Sequence, residues 1–242
     1  MKRFYYDLHI HSCLSPCGDA DSTPNNIAGM ALLGELDIVA LTDHNSCKNC
    51  PAFFEACERL GLTAIAGMEL TTSEDIHVVC LFEKLSDALK FDSYVDGKRL
   101  KVKNRPEFFG EQIIMDGMDE PIGNEPYLLS NATEISLEEV RQDTERFGGI
   151  CYPAHIDRDA NGIIAVLGTI PDVSEFNWYE LRDAENIEEY SKTYGIEENK
   201  FIISSDAHYL TSLKDKENYF DLDSDGIDHD EVRKKLFELL RG

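Results

Sequence analysis

Short apolar runs alternate along this chain with segments of helical periodicity. The apolar runs predict strands at residues 5–11, 37–44, 63–70, 75–82, 150–155, 176–184 and 201–208. The periodic segments predict helices at residues 22–36, 51–61, 136–149, 161–168, 185–195 and 228–242. An alternation of strands with helices is typical of a parallel sheet or barrel of the α/β class.

One long segment, residues 84–131, interrupts this rhythm with charges, glycines and prolines. It contains strand-like pieces around residues 100–103 and 111–116. We interpret the segment as an insertion, a hairpin near the mouth of the barrel. A chain of 242 residues suits one large domain, so we predict a single domain over residues 1–242.

The charge balance limits the partners that we expect. The formal net charge of −24 argues against a broad electrostatic grip on nucleic acid or on an anionic membrane, because both need basic surface. We therefore expect no extended nucleic-acid binding and no membrane partner, whereas a phosphorylated small molecule or nucleotide stays open as a substrate. No apolar stretch approaches the roughly 18 residues that a membrane span needs, and no leader-like start is evident, so a cytoplasmic protein is expected. The sequence leaves the oligomeric state open.

The histidines are concentrated in or at the end of predicted strands. His9 and His11 are two residues apart on one strand, so their side chains point to the same face. The candidate ligands in or near strand ends are His9, His11, His44, Glu69, His77, His155, Asp206 and His208. Strand ends converge on one face of a parallel barrel, where such enzymes carry their sites.

This set of side chains predicts a metal centre. Imidazoles mixed with carboxylates suit Zn, Mn or Fe, whereas a structural zinc would favour thiolates. The candidates are too numerous for one ion, so we predict two or three divalent metal ions with a bridging carboxylate. Such clusters generate hydroxide at neutral pH and bind the attacking and leaving oxygens of a phosphoryl displacement.

The motifs also resemble a known family. DLHIHS, TDH, GMEL, DIHVV, PAHIDR and SSDAH follow one another over residues 7–208 as in the PHP (polymerase and histidinol phosphatase) superfamily. The resemblance implies a distorted (β/α)7 barrel with a trinuclear metal site and phosphoesterase activity. It implies a first metal held by His9, His11, Glu69 and Asp206, a second by Glu69, His77 and His155, and a third by His44 and His208.

The chain departs from the family pattern in the loop after His11. The resemblance implies one further ligand to the third metal from this loop, a histidine or an aspartate. The loop reads SCLSPCGDAD, which offers Asp19 and Cys17. We favour Asp19, because SPCGD resembles the family's Ser-Asp-Gly form with a small insertion, and Cys17 stays open.

Two further residues receive roles outside the ligand set. Arg158 follows His155 as in the family's AHPxR pattern, where the arginine contacts the substrate phosphate, although Ile156 replaces the usual proline. A surface salt bridge is the alternative for Arg158. Asp43, beside His44, is predicted to orient a ligand imidazole.

These observations lead to a hypothesis and two alternatives. The hypothesis is a metal-dependent phosphoesterase that hydrolyses a phosphorylated small molecule, nucleotide or short oligonucleotide through a metal-bound hydroxide. One alternative is a non-phosphate hydrolase that uses the same hydroxide on an amide or lactone carbon. The other is a non-catalytic binding module stabilised by metal.

Overall fold

The structure is a computed structural model that describes residues 1–171 and 176–242. Its strands are β1 (Lys2–Ile10), β2 (Ile38–Leu41), β3 (Thr63–Thr71), β4 (His77–Phe82), β5 (Ile113–Met115), β6 (Pro121–Asn124), β7 (Gly149–Pro153), β8 (Tyr179–Leu181), β9 (Phe201–Ile203) and β10 (Tyr219–Leu222). Its α-helices are α1 (Pro24–Leu33), α2 (Cys50–Leu60), α3 (Leu85–Asp96), α4 (Pro106–Phe109), α5 (Leu137–Arg146), α6 (Ile163–Leu167), α7 (Ile187–Tyr194) and α8 (His229–Arg241).

The main sheet is a curled half-barrel of six strands. Their order is β10-β1-β2-β3-β4-β7, and β8 with β9 forms a separate parallel pair. Strands β1, β2 and β3 run parallel, whereas β4 is antiparallel to both β3 and β7. The predicted α/β class is thus confirmed, with two strands of the sheet, β4 and β10, reversed.

The reversed direction of β4 follows from the short connection between β3 and β4. Only residues 72–76 separate β3 from β4, and the two strands pair from Ala66 with Phe82 to Thr71 with His77. A connection this short joins antiparallel strands, because a parallel crossover needs about a dozen residues or more. The first residue of β4 therefore lies beside the last residues of β3.

Hydrogen bonds join the β8–β9 pair to both sides of the main sheet. The Ile156 amide, just after β7, donates to the Glu180 carbonyl of β8 (2.9 Å). The His11 amide, just after β1, donates to the Ala207 carbonyl beyond β9 (2.9 Å). The same edge of β1 can pair with β10 and also bond to the residues after β9, because only its first half pairs with β10.

Side chains of the strands alternate between two apolar layers. In β2, Val39 packs in a layer with residues of α1 and α2, and Ile38 packs in a second layer with residues of α8. In β1 this alternation breaks: Leu8 lies in the second layer and Ile10 in the first. The pairing register of β1 with β2 shifts between Asp7 and Ile10, as in a β-bulge, which changes the face that later side chains present.

The predicted helix boundaries agree with local signals. Thr23 caps α1 and accepts a hydrogen bond from the Asn26 amide, and Pro24 is the first helical residue. Gly61 ends α2 in the left-handed conformation (φ 72°). The predicted C-terminal amphipathic helix is α8, whose buried face joins the strands through Leu236 and Phe237.

The segment interpreted as an insertion begins with a helix of the main fold. In α3, Ala88, Phe91 and Val95 are buried in the same apolar layer as β3 and β4 residues. The departure from the strand and helix rhythm therefore starts after Asp96. It contains α4 and the β5–β6 hairpin, whereas the strand-like piece around residues 100–103 makes only an isolated bridge at Lys103.

The insertion lies against the loops that follow β1 and β2. The Ile113 amide donates to the Cys13 carbonyl (2.9 Å), and the Asn45 side-chain amide donates to the Leu129 carbonyl (2.7 Å). Among the described residues, no helix combines the length and the apolar character that crossing a membrane requires.

Candidate metal centre

Six histidines and two carboxylates converge where the strands end. His9 lies in β1, Glu69 in β3, and His77 is the first residue of the reversed strand β4. Four more histidines lie just after strands: His11 after β1, His44 after β2, His155 after β7 and His208 after β9. Asp206 also follows β9, two residues before His208. The eight candidate ligands predicted in or near strand ends therefore meet in one place, seven of them buried and His208 half-buried.

Glu69 is the centre of this cluster, and its two oxygens face different imidazoles. Oε1 lies 2.8 Å from His77 Nδ1 and 2.9 Å from His155 Nε2. Oε2 lies 2.9 Å from His44 Nδ1 and 3.3 Å from His11 Nε2. The side chain of Glu69 is only 1% exposed, so this carboxylate can interact with little besides the cluster.

Asp206 is the second carboxylate of the cluster. Its Oδ1 lies 3.3 Å from His11 Nε2 and 3.6 Å from His9 Nε2. The ligand atoms of every candidate in the cluster except His155 fall into three groups, each with all its atoms within 4.8 Å of one another. The groups are His9, His11, Glu69 and Asp206; His44, Glu69 and His77; and His11, His44 and His208.

Several candidate ligand atoms are not satisfied by hydrogen bonds within the cluster, as expected of atoms that bind metal ions. Within the described residues, His44 Nδ1, His77 Nδ1 and Asp206 Oδ1 are buried without a hydrogen-bond partner, although charged or polar atoms lie within 3.6 Å of each. Buried polar atoms are rarely left unpaired, and such exceptions point to a function or an absent ion. Nitrogen and oxygen donors together suit Zn, Mn or Fe.

Charge complementarity inside the cluster shifts several pKa values. Burial disfavours both ionised carboxyls, but the surrounding imidazoles hold the pKa of Glu69 and of Asp206 below their usual range. Burial also disfavours charged imidazoles, but Asp206 and Glu69 raise the pKa of His11 to about 9. Glu69 and the Cys17 thiol raise the pKa of His44 to about 9.

Two histidines shift in the opposite direction. Burial and the nearby His11 lower the pKa of His208 to about 3. Burial also lowers the pKa of His77, although Glu69 partly opposes it. Both imidazoles are therefore neutral at pH 7, the form that binds a metal.

The backbone is strained at two of the candidate ligands. Asp206 has a φ of 50° and His155 a φ of 29°, values that non-glycine residues seldom adopt. Each residue follows a strand, β9 or β7, and turns its side chain towards Glu69 or His11. Strain of this kind persists where the surroundings over-determine it, which is common in functional sites.

The buried carboxylate of Glu180 in β8 was missed by the sequence reasoning. Glu180 Oε1 lies 2.9 Å from His9 Nδ1, so His9 presents its other nitrogen, Nε2, to the cluster. Burial raises the pKa of Glu180 although His9 opposes it. A glutamate within an apolar strand is the signal that could have identified it, because a buried carboxyl needs a partner.

Asp43, predicted to orient an imidazole, reaches one through a serine. Its Oδ1 accepts a hydrogen bond from Ser15 Oγ (2.7 Å), and Ser15 Oγ lies 2.9 Å from His11 Nδ1. Asp43 also accepts hydrogen bonds from the amide and hydroxyl of Ser12 (both 2.7 Å). It therefore ties the loop after β1 to the loop after β2.

The two candidates in the loop after His11 have different surroundings. The Asp19 carboxylate accepts a hydrogen bond from the Asp21 amide (2.9 Å), and the Asp19 amide donates to the His208 carbonyl. The exposed Cys17 thiol lies near enough to His44 to raise the pKa of that imidazole. Neither belongs to the three groups of converging ligand atoms.

Arg158 lies at the rim of the cluster. Its Nη1 is 2.9 Å from Asp206 Oδ2, and its side chain is 37% exposed. One side of the guanidinium is thus paired with a candidate ligand, while part of it faces solvent.

Comparison with known proteins identifies relatives of this fold. Residues 7–229 match the family model described as PHP domain, and no curated protein matches the sequence. Similar structures include the lesion-specific endonuclease Q from Pyrococcus furiosus, at 18% identity and a TM-score of 0.65, over 96% of this chain and 55% of that one. A protein described as a metal-dependent phosphoesterase from Bifidobacterium adolescentis has 17% identity and a TM-score of 0.57, over 96% and 95% of the two chains.

A second endonuclease Q structure contains a 27-mer duplex with an abasic lesion at the active site. It shares 17% identity with this chain at a TM-score of 0.66, over 98% of this chain and 57% of that one. This chain thus spans little more than half the length of the endonuclease Q chains. At these identities the likeness shows the fold alone.

The expectation of no extended nucleic-acid binding is contradicted by this comparison. Endonuclease Q has a similar fold and holds a DNA duplex at its active site. Net charge was a poor guide because it sums over the whole surface, whereas a bound strand responds to the local potential around the site.

Proposed function

This chain belongs to the PHP domain family, and from that premise we propose that it is a metal-dependent phosphoesterase. The observation that carries the proposal is the buried Glu69, whose two oxygens face separate groups of imidazoles. A carboxylate is the only ligand type in the cluster that can bridge two cations.

We assign two or three divalent ions, Zn, Mn or Fe, to this cluster. Two of the three groups of converging atoms correspond to the first and third metal positions that the family resemblance implies, with His11 shared between them. The second position combines Glu69 and His77 with His155, whose Nε2 lies 2.9 Å from Glu69 Oε1. When bound, such ions lower the pKa of a coordinated water and neutralise phosphate charge.

The protein side chains then have separate tasks. Glu180 fixes the ring of His9 with Nε2 towards the cluster, and Asp43 acts on His11 through Ser15. Arg158 is the candidate for binding phosphate oxygens, because its guanidinium is partly exposed beside Asp206. The buried position of Glu69 and His9 limits the access of bulk water to the ligand cage.

We further propose that the chain is one domain built on a distorted (β/α)7 barrel. The seven strands would be β1, β2, β3, β4, β7, β8 and β9. The hydrogen bonds from Ile156 to Glu180 and from His11 to Ala207 support this closure. β10 and the β5–β6 hairpin are then additions outside the barrel.

The proposed substrates are a phosphorylated small molecule, a nucleotide or a short oligonucleotide. The test is phosphate release, with Mn²⁺ added, from a panel of phosphomonoesters and phosphodiesters, together with amide and lactone substrates. Turnover of phosphoesters alone supports the proposal. Turnover confined to amides or lactones would establish the non-phosphate hydrolase instead, and absence of any turnover at full metal occupancy would favour a binding module.

Changing Arg158 to alanine is expected to lower kcat/KM on a phosphomonoester while the metal content stays unchanged. Losing one charged hydrogen-bonding partner costs about 1.5–3 kcal/mol, or roughly 10- to 150-fold in kcat/KM. If Arg158 only formed a surface salt bridge with Asp206, its loss would cost less than about 1 kcal/mol of free energy. Steady-state kinetics and metal analysis on the same preparation distinguish the two, and an unchanged kcat/KM would remove the phosphate-binding role.

Changing Cys17 to serine is expected to weaken one metal position more than Asp19→Asn does. The reason is that the Cys17 thiol lies near enough to His44 to raise its pKa, whereas the Asp19 carboxylate is hydrogen-bonded to the Asp21 amide. Protein reconstituted with Co²⁺ should show a thiolate-to-cobalt absorption band that Cys17→Ser abolishes and Asp19→Asn retains. If the wild type shows no such band and Asp19→Asn loses about one metal ion per chain, the further ligand is Asp19.

A further inference from the structure

Basic residues are concentrated in one short stretch of the insertion. Residues 98–105, called the basic strip below, contain five of the 23 Lys and Arg residues and no Asp or Glu. The other 18 share the rest of the chain with 47 acidic residues. The strip is therefore a local exception on a strongly acidic protein. Its five basic residues are Lys98, Arg99, Lys101, Lys103 and Arg105.

Part of the strip has a structural task and part does not. Arg99 is buried and pairs with Asp96 (2.5 Å) and Glu125 (3.1 Å), and Lys101 also pairs with Asp96. Lys103 and Arg105 are exposed, and no ion pair involves either of them in the ranges that the structure describes. These two cations are available to an anionic partner.

Two exposed aromatic rings follow the strip after Pro106 and Glu107. Phe108 is 70% exposed and Phe109 is 41% exposed, both in the short helix α4. The guanidinium of Arg105 lies 4.8 Å from the centre of the Phe108 ring. Two large apolar side chains that stay this exposed side by side form an apolar patch, and such a patch beside cations points to a partner.

The strip and the rings lie beside the metal centre. Gly110, next after Phe109, has a φ of 83° and packs so closely on Pro16 that an added Cβ would be 2.6 Å from the Pro16 carbonyl oxygen. Pro16 follows Ser15, whose hydroxyl oxygen lies 2.9 Å from His11 Nδ1 of the cluster. The aromatic rings are thus a few residues from the rim of the candidate active site.

We propose that the basic strip and the ring pair Phe108–Phe109 bind single-stranded nucleic acid and lead it to the metal centre. This inference rests on the proposed phosphoesterase function, because it names the substrate class of the same site. Proteins that hold single strands combine cations along the backbone with aromatic rings on which bases stack. An acidic peptide would need the cations but not the rings, and a duplex keeps its bases stacked on one another.

The binding test uses a fluorescein-labelled 12-nucleotide single strand and the full chain in EDTA, so that no cleavage occurs. Fluorescence anisotropy should show that Phe108→Ala/Phe109→Ala weakens binding by about tenfold or more, since each stacked base contributes strongly. Lys103→Glu/Arg105→Glu should weaken binding at least as much and flatten its salt dependence. The matched control is Lys234→Glu/Lys235→Glu on α8, which packs against the beginnings of β1 and β2; it should change binding less than twofold.

A second measurement separates this inference from the proposed function. Hydrolysis of bis(p-nitrophenyl) phosphate with Mn²⁺ should be unchanged in the strip and ring variants, while their kcat/KM on the 12-mer falls. If the wild type binds the 12-mer but hydrolyses neither substrate, the proposed phosphoesterase function is refuted. The proposal that the basic strip binds single strands would then still stand. The strip proposal is overturned if its variants bind the 12-mer like wild type, or if wild type prefers a duplex or an oligoglutamate peptide.

Discussion

Glu69→Gln is expected to reduce kcat/KM on any phosphoester by about 10³-fold or more and to remove metal from the protein. Metal ions supply several kcal/mol of transition-state stabilisation, and each 1.36 kcal/mol is a factor of ten in rate. An amide can offer its oxygen to one side only and turns an NH₂ group to the other. The imidazoles on the side of the NH₂ group would then have no carboxylate oxygen facing them, and a metal ion there would lose its ligand.

Elemental analysis and steady-state kinetics on the same preparation check this expectation. Glu58→Gln, at an exposed position in α2, is the matched control and should behave like wild type. Circular dichroism establishes that Glu69→Gln still folds. Near-normal turnover in a folded Glu69→Gln protein would disprove the bridging role, even if its metal content were reduced.

Glu180→Ala is expected to weaken metal binding by 10- to 100-fold, the usual range when a carboxylate that orients a ligand histidine is lost. Glu180 is fully buried and holds His9 through Nδ1 at 2.9 Å. Without it the His9 ring can rotate or exchange tautomers, so Nε2 no longer points reliably at the cluster. Glu180→Gln keeps a neutral acceptor for the same hydrogen bond and should fall between wild type and alanine.

Competition with a chromophoric chelator measures the metal affinity of each variant directly. Glu188→Gln, exposed on α7, is the control for the loss of a carboxylate outside the cluster. A purely structural role for Glu180 predicts a lower melting temperature with unchanged affinity in the folded protein. Unchanged affinity in Glu180→Ala would therefore contradict the positioning role.

Much of the metal centre was predictable because its residues are attached to strands. His9, His11 and His44 follow or end apolar runs, and strand ends meet at one edge whatever the details of the loops. His77 fits the same logic for a different reason: its strand is reversed, so its first residue lies at that edge. The position of the cluster therefore depends on the sheet and only weakly on loop conformation.

Other features depend on contacts between distant parts of the chain. Glu180 becomes an orienting residue only when folding brings its side chain on β8 within reach of His9 on β1, which no local pattern reveals. The register shift between Asp7 and Ile10 and the pairing of β10 with β1 are likewise products of packing. Helix α3 was hidden because charged residues dilute its apolar positions, although Phe91 and Val95 are buried.

The β3–β4 hairpin makes the chain unequally tolerant of inserted and deleted residues. Glu69 stands between Met68 and Leu70, which face the opposite, apolar layer. A single residue gained or lost in β3 ahead of Glu69 would turn methionine or leucine towards the imidazoles and bury the carboxylate in that layer. Length changes in the exposed turn at residues 73–75 leave this alternation untouched. Natural or engineered length variation is therefore compatible with the metal centre at the turn and incompatible with it a few residues earlier.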